Sequence, residues 1–370
     1  WIREKGDYVF SINNKISTRQ LKMMTLVEVF STASLVLPKL LANRTGTLGW
    51  IPILIGGIGL ILYGLLLMWI SNQIKTGFVD FARSVVGKLL GSNIAILFIV
   101  KMVFAATYAL LLFAQITNIS MLPLTPSWVI ILCMVLISIW GACKGLEARA
   151  RIGEILFWII ILPIVLILLL AIPQLKVERI VAESSFDPMG ILEGTYITFM
   201  VCSAVELFLF TAPYTEKKKH NKKSILYVTT TIILLNMALY FTTVGLFGVV
   251  GTGRLDVPTI NIMQNVKLPG SLIERMDAFM VSFWILSIFS IICSYVFHLS
   301  TLTKELFCSG KQETLSILFG ALIFILTIVV GNYENAKKLF PGYMTYIGMP
   351  STVISILIIS IIFLIRREKV

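Results

Sequence analysis

The chain has 370 residues, of which 57% are hydrophobic and 14% charged, with a mean hydropathy of +0.92 and a formal net charge of +12. Soluble domains average about 45–50% apolar and about 25% charged residues, so a soluble globular protein is excluded. Phe157–Ile172 carries no charged or hydrogen-bonding side chain except the Trp158 indole; this excludes the alternating strands of a β-barrel, and apolar runs long enough to cross a core of about 30 Å as helix recur throughout.

Trp1–Lys22 is too charged for a signal peptide. Beyond it, apolar runs bounded by charges, Pro and Gly predict ten spans near residues 19–41, 50–70, 92–119, 126–144, 151–173, 190–213, 224–250, 275–302, 314–331 and 343–365. The longest connections, 71–91, 174–189 and 251–274, are amphipathic enough to lie on the membrane surface or cap a vestibule. No stretch is long enough for a soluble domain, so residues 1–370 are expected to form one membrane domain.

Span 1 carries Glu28 and the small, hydroxyl-rich run Phe30-Ser31-Thr32-Ala33-Ser34; span 3 carries Lys101 and, on the same face, Tyr108. Glu147, Arg149, Arg151 and Glu154 stand at the start of span 5 and read as solvated interfacial charges. Span 6 contains Thr198-Phe199-Met200-Val201-Cys202-Ser203, followed by Glu206; span 8 carries a stripe of Ser287, Ser290, Ser294, His298 and Thr301. The five cysteines (Cys133, Cys143, Cys202, Cys293, Cys308) read as small apolar packers, and the two histidines, His220 and His298, leave no basis for a metal cluster. No Walker loop, H-E-x-x-H or G-x-S-x-G motif is present. Neither an enzyme nor a cofactor is expected.

With the N-terminus inside, 21 Lys and Arg fall in inner segments and 9 in outer ones, Lys101 lying within a span. That bias predicts cytoplasmic termini. It also accounts for most of the net charge, with attraction to anionic lipid as a side effect and no nucleic acid required. Ten spans divide into two halves of five, about 19–173 and 190–365, and because five is odd the second runs inverted. Each half opens with an interrupted segment, Phe30–Ser34 and Thr198–Ser203, and paired breaks of this kind point to a ligand site near the midplane.

The polar stripes of spans 1, 3, 6 and 8 should face a protein interior or a watery cavity. Candidate ligand residues are Phe30, Ser31, Thr32, Ala33, Ser34, Tyr108, Thr198, Phe199, Cys202, Ser203 and Ser287. Glu28, Lys101 and Glu206 are expected to form a charge cluster beneath them, which either exchanges protons or locks helices together. Free backbone groups at a helix break suit a zwitterion, the half-helix N-terminus attracting its carboxylate; a small amino acid is the first expectation and a sugar the second.

Ile-Ser-Thr-Arg-Gln-Leu at 16–21, Leu-Pro-Lys at 37–39, Gly145–Phe157 (GLEARARIGEILF), Glu206–Tyr214 (ELFLFTAPY) with the lysine run Lys217–Lys223, and Glu274–Phe279 (ERMDAF) leading into SFWILSIF together resemble the B subunits of bacterial spore germinant receptors. These are the GerAB-type endospore germination permeases of the amino acid-polyamine-organocation superfamily. The resemblance covers nearly the whole chain. It implies an all-α, five-plus-five inverted-repeat fold of LeuT type with helices 1 and 6 broken, and a germinant sensor in the inner membrane of a spore, working with an A subunit and a lipoprotein C subunit. A proton-coupled amino acid transporter is the alternative. Glu206 matches the acidic position of the family's span 6 motif, whereas Ser31–Ser34 stand where the family often has glycine.

Overall fold

Ser17 opens the first helix. Its hydroxyl accepts from the Gln20 backbone N–H at 3.1 Å, and the Gln20 side chain accepts from the Ser17 N–H at 3.0 Å, a capping box that satisfies two amides a helix start leaves free. The helix, α1, then runs over Thr18–Thr45. The computed structural model describes residues 15–181, 186–216, 218, 221–265 and 276–367, and the helices that follow are α2 (Trp50–Gln73), α3 (Phe78–Val86), α4 (Lys88–Ser120), α5 (Ser127–Cys143), α6 (Gly145–Ala171), α7 (Val177–Val181), α8 (Pro188–Val201), α9 (Leu207–Thr211), α10 (Asn221–Arg254), α11 (Pro258–Asn265), α12 (Met276–Phe307), α13 (Gln312–Val330), α14 (Tyr333–Tyr343) and α15 (Met349–Arg367). His220, Lys217, Lys219, Glu274 and Arg275, all singled out in the sequence, lie outside the described residues.

Each expected span coincides with a helix or a helix pair. Among the described residues, seven helical stretches are long and apolar enough to cross a membrane, the first of them, Thr18–Gln73, comprising α1 and α2 across a 3-10 turn at Gly46–Gly49. The pair Pro188–Val201 and Ser203–Tyr214, bent by 43°, makes a broken span, and Ser127–Cys143, at 17 residues, is a shorter apolar one. α14 runs into α15 through a π turn at Met344–Gly348. The chain is an integral membrane protein built of packed helices.

α1 is the axis of the bundle, packed by α10, α6, α8 and α12. Lipid cannot drive helices together by hydrophobicity, so close backbone approach does it instead. Gly56 of α2 is one such place: a Cβ there would lie 2.7 Å from the Thr195 carbonyl oxygen and 2.9 Å from Thr198 Cβ. Large apolar side chains such as Ile58, Leu62, Leu162 and Val329 point outward, as a lipid-facing surface requires.

The expected break in α1 is absent. Through Phe30–Ser34 the helix is continuous, because the Ser31 and Ser34 hydroxyls donate to the Glu28 and Phe30 carbonyls of their own helix at 2.7 and 2.6 Å. The one backbone gap comes from Pro38, which has no N–H to give the Ser34 carbonyl four residues earlier. Thr259 of α11 fills it, its hydroxyl donating to Ser34 O at 2.5 Å. The span 6 break is present: α8 ends at Val201 and a 3-10 turn, Ser203–Glu206, leads into α9.

Of the amphipathic connections, 71–91 contains α3, which presses Phe78 edge-on against Phe98 and Phe210 at 5.5 and 5.1 Å between ring centres. Glu305 of α12 caps its start by accepting from the Val79 N–H at 3.0 Å. This closes the face of the bundle on which α1 begins.

Candidate functional site

A cavity of about 570 Å³ lies on the side toward which α1 runs, bounded by α1, α4, the α8 break, α12, the α10–α11 connection and the 333–345 segment. Of the residues proposed from sequence, Thr32, Tyr108 and Ser203 line it. The other eight do not, and each has a physical reason. Ser31 and Ser34 are turned onto their own helix, and Ser34 also accepts from Trp284 Nε1 at 3.1 Å. Phe30 is buried against the Trp284 ring, its centre 6.0 Å away, and Ala33 is buried within the same packed core. Thr198 bonds back to the Gly194 carbonyl at 2.9 Å and faces Gly56. Phe199 packs edge-on against Tyr63, Cys202 is buried at the end of α8, and Ser287 donates to the Trp284 carbonyl at 2.8 Å.

The wall opposite α1 is aromatic. Tyr108 and Tyr333 share a hydroxyl contact at 3.2 Å, and Phe340 lies 5.9 Å from the Tyr108 ring. Tyr295 of α12 closes another side. Tyr196 ties α8 to the π turn, its hydroxyl donating to the Thr345 carbonyl at 2.6 Å. At the mouth, Lys39 and Lys337 both pair with Asp256, at 3.0 and 3.2 Å, Lys337 also reaches Glu334 at 2.6 Å, and Arg44 pairs with Glu193 at 3.0 Å. The hydrogen bond from Lys39 holds the Asp256 carboxyl below the usual carboxylate range, with Lys337 adding to it.

The expected three-residue charge cluster is two separate clusters. Beneath the cavity, Lys101 Nζ donates to both Glu206 oxygens at 2.8 Å and to Thr352 Oγ1 at 2.9 Å. Tyr63 and Thr352 each donate to Glu206 Oε1, at 2.8 and 2.9 Å. The network joins α2, α4 and α15 to the last residue of the 3-10 turn, so it holds the break itself. Glu28 is not part of it. Glu28 accepts from Ser294 of α12, and from Arg149 of α6 at 3.4 Å, while the Arg149 guanidinium stacks 4.5 Å over the Phe297 ring and donates to Ser294. Arg149 is therefore a buried partner and not a solvated interfacial charge. Its neighbours do lie outward: Arg151 pairs with Glu147 at 3.4 Å, and Glu154 with Arg19 at 2.9 Å.

Among the described residues no three His, Cys, Asp or Glu side chains converge as a metal site would need, and all five cysteines are free. His298 is buried between the Phe210 and Phe297 rings, with Nε2 3.2 Å from the Thr211 hydroxyl.

Comparison with known proteins decides the family, since the profile described as "Spore germination protein" matches residues 15–335. The chain belongs to the spore germination protein family. Spore germination protein YndE of Bacillus subtilis (strain 168) is 26% identical over 92% of this chain and 94% of its own length. Spore germination protein A2 of the same organism is 24% identical over 95% and 97%, and GerLB of Bacillus cereus 21% identical over 96% of each. Among solved structures, a substrate-bound, outward-open Na+-coupled sialic acid symporter superposes with a TM-score of 0.70 at 12% identity, covering 96% of this chain and 82% of that one. MhsT in complex with L-phenylalanine does so at 0.70 and 14%, covering 92% and 87%. At such identities the likeness is one of fold.

Sequence reasoning missed half the cavity of this germination protein. Tyr333, Lys337, Phe340 and Thr345 fall in 331–348, a stretch too polar at its start to stand out as a span, although Tyr333 and Phe340 are seven residues, two helical turns, apart. Tyr295 adjoins Ser294 in sequence but points about 100° away from the hydroxyl stripe. Asp256 sits in a connection that no motif marks.

Proposed function

We propose that this chain is the germinant-sensing membrane subunit of a spore germination receptor and that the 570 Å³ cavity is where the germinant binds. The observation that carries the reading is the coincidence of that cavity with the α8 break in a member of the spore germination family. A small amino acid is the first candidate and a sugar the second. With cytoplasmic termini, as the distribution of Lys and Arg favours, the cavity opens outward and the α3 plug with its Phe78–Phe98–Phe210 contact seals the inner face. The membrane would then be the inner membrane of the spore, and the partners an A subunit and a lipoprotein C subunit. A ligand shifts such partners only as far as it binds one conformation better than the other.

The alternative, a proton-coupled amino acid transporter, draws on the fold shared with the symporter and MhsT. The Lys101–Glu206 network supports the receptor reading better: five hydrogen bonds among Lys101, Glu206, Tyr63 and Thr352, counting both carboxylate oxygens, favour a fixed lock on the break. Purified chain reconstituted in liposomes separates the two, using a labelled amino acid panel with and without a proton gradient. Saturable binding without accumulation, lost in Tyr108→Ala and Ala105→Trp, is the expected result. Concentrative uptake overturns the sensor reading, and binding indifferent to both substitutions overturns the cavity.

A further inference from the structure

The mouth of the cavity already holds a carboxylate. Lys39 of α1 and Lys337 of α14 donate to the same atom, Oδ1 of Asp256, at 3.0 and 3.2 Å. Asp256 belongs to neither helix: it stands in the connection between α10 and α11, its side chain 41% exposed against 21% for Lys39 and 28% for Lys337. Two ammonium groups brought to one point repel unless an anion stands between them. The pair is thus an anion receptor loaded with the protein's own carboxylate.

We infer that Lys39 and Lys337 receive the carboxylate of the bound germinant, with Asp256 an internal stand-in that the ligand displaces. This rests on the cavity being the germinant site. Three observations carry it. The anion site that a broken α1 would supply does not exist, since α1 is continuous and Ser31 and Ser34 bond their own backbone. The charged residues lining the cavity, Lys39, Arg44, Lys337 and Asp256, all lie at the mouth, where Arg44 is engaged by Glu193 at 3.0 Å; Lys101, deeper, is engaged by both Glu206 oxygens. Asp256 can leave at little cost, because a half-exposed carboxylate surrenders an ion pair to water easily, and Lys337 keeps Glu334 at 2.6 Å when it does.

The ligand class that follows is a small carboxylate with an apolar or aromatic body, the carboxylate toward Lys39 and the body against Tyr108, Tyr295 and Phe340. Amides of the same molecules and neutral sugars would bind poorly. Displacing Asp256 also releases the α10–α11 connection, so occupancy is felt outside the cavity.

The test is calorimetric titration of the purified full-length chain in detergent with two matched pairs of probes, leucine with leucinamide and phenylalanine with phenylalaninamide. The amino acid of a pair should bind about tenfold or more tightly than its amide, the discrimination one charge-assisted bond supports. Lys39→Gln and Lys337→Gln should cut that preference to about threefold or less, Lys39→Arg should keep it, and Asp256→Asn should tighten the amino acids selectively by about threefold. Equal binding of acid and amide to the wild type, or a preference unchanged in both lysine variants, overturns the inference. Binding that survives Ala105→Trp overturns the cavity reading instead. Failure of all four probes at about 10 mM overturns the carboxylate assignment, and a sugar panel with the same Ala105→Trp control then decides the cavity.

Discussion

α1 and α8 carry similar local sequences and behave oppositely. Both have a run of small and hydroxyl residues at the same stage of their half of the chain, Ser31–Ser34 in one and Cys202–Ser203 in the other, yet α1 continues and α8 stops. In α1 each hydroxyl is absorbed by its own helix, and the one orphaned carbonyl, left by Pro38, is served from α11. In the α8–α9 segment the turn after Cys202 ends on Glu206, which three side-chain donors on three other helices hold in place through four hydrogen bonds. A break in a membrane helix is therefore set less by the residues in it than by what lies across from it to hold the freed groups.

The sharpest way to break this comparison is Glu206→Gln. It leaves the buried Lys101 without its counterion, and removing one partner of a buried pair costs about 3–5 kcal/mol; the Lys101→Met, Glu206→Met double variant should recover much of it. Thermal unfolding in detergent reads both, and a single variant as stable as wild type would mean the network does not hold the break. Gly56→Val comes next: its Cβ meets the Thr195 carbonyl at 2.7 Å, and overpacking of this kind costs about 1–3 kcal/mol. The same melting experiment should register it, and an unchanged midpoint would show that α8 can yield at its C-terminal half.

Thr259→Val sharpens the α1 side. It leaves the Ser34 carbonyl without its donor, at about 1–3 kcal/mol. Pro38→Ala supplies an N–H in the same place, so the double variant should be more stable than Thr259→Val alone; a double-mutant cycle with no coupling would count against the exchange of donors. Ser31→Ala, whose hydroxyl only bonds its own helix, should change stability by less than about 1 kcal/mol and leave germinant binding unaltered, whereas Thr32→Val, in the cavity wall, should weaken binding. The smallest effect is one of pH. Asp256 is held below its ordinary value by Lys39, so the stability it contributes is fully present above about pH 4 and lost as pH falls through the lowered native value. The difference in melting temperature between wild type and Asp256→Asn should be constant from about pH 5 to 7 and shrink below about 4.

The spans were legible because hydrophobicity over twenty residues is a strong, redundant signal, and the Lys101–Glu206 pair because two opposite charges at matching depth in apolar helices have few alternatives. Arg149 was not legible, for a specific reason: the span was expected to start at 151, but α6 starts at Gly145, after a backbone turn at φ +84° that only glycine takes easily. Six residues of shift, about 9 Å, carry Arg149 from the interface into the bundle. Glu28 then follows it, since a buried arginine claims the nearest carboxylate. The cavity residues were half legible: Thr32, Tyr108 and Ser203 share faces with the charges, but Tyr333, Lys337 and Phe340 come from a polar-starting helix, and Asp256 from a connection placed only by tertiary packing.

The 17-residue α5 spans about 26 Å, short of a hydrocarbon core of about 30 Å. Trp128 and Trp140, both exposed, mark its two ends and set interfacial rings only about 18 Å apart along the axis. Around this helix the mismatch is met by thinning of the bilayer, by snorkelling of the flanking residues or by association with other helices. Because α5 is packed on α12 and α13, the mismatch energy is borne by the helix that contributes Ser294 and Tyr295, so the thickness and fluidity of the surrounding lipid become physical variables acting on the bundle alongside the germinant.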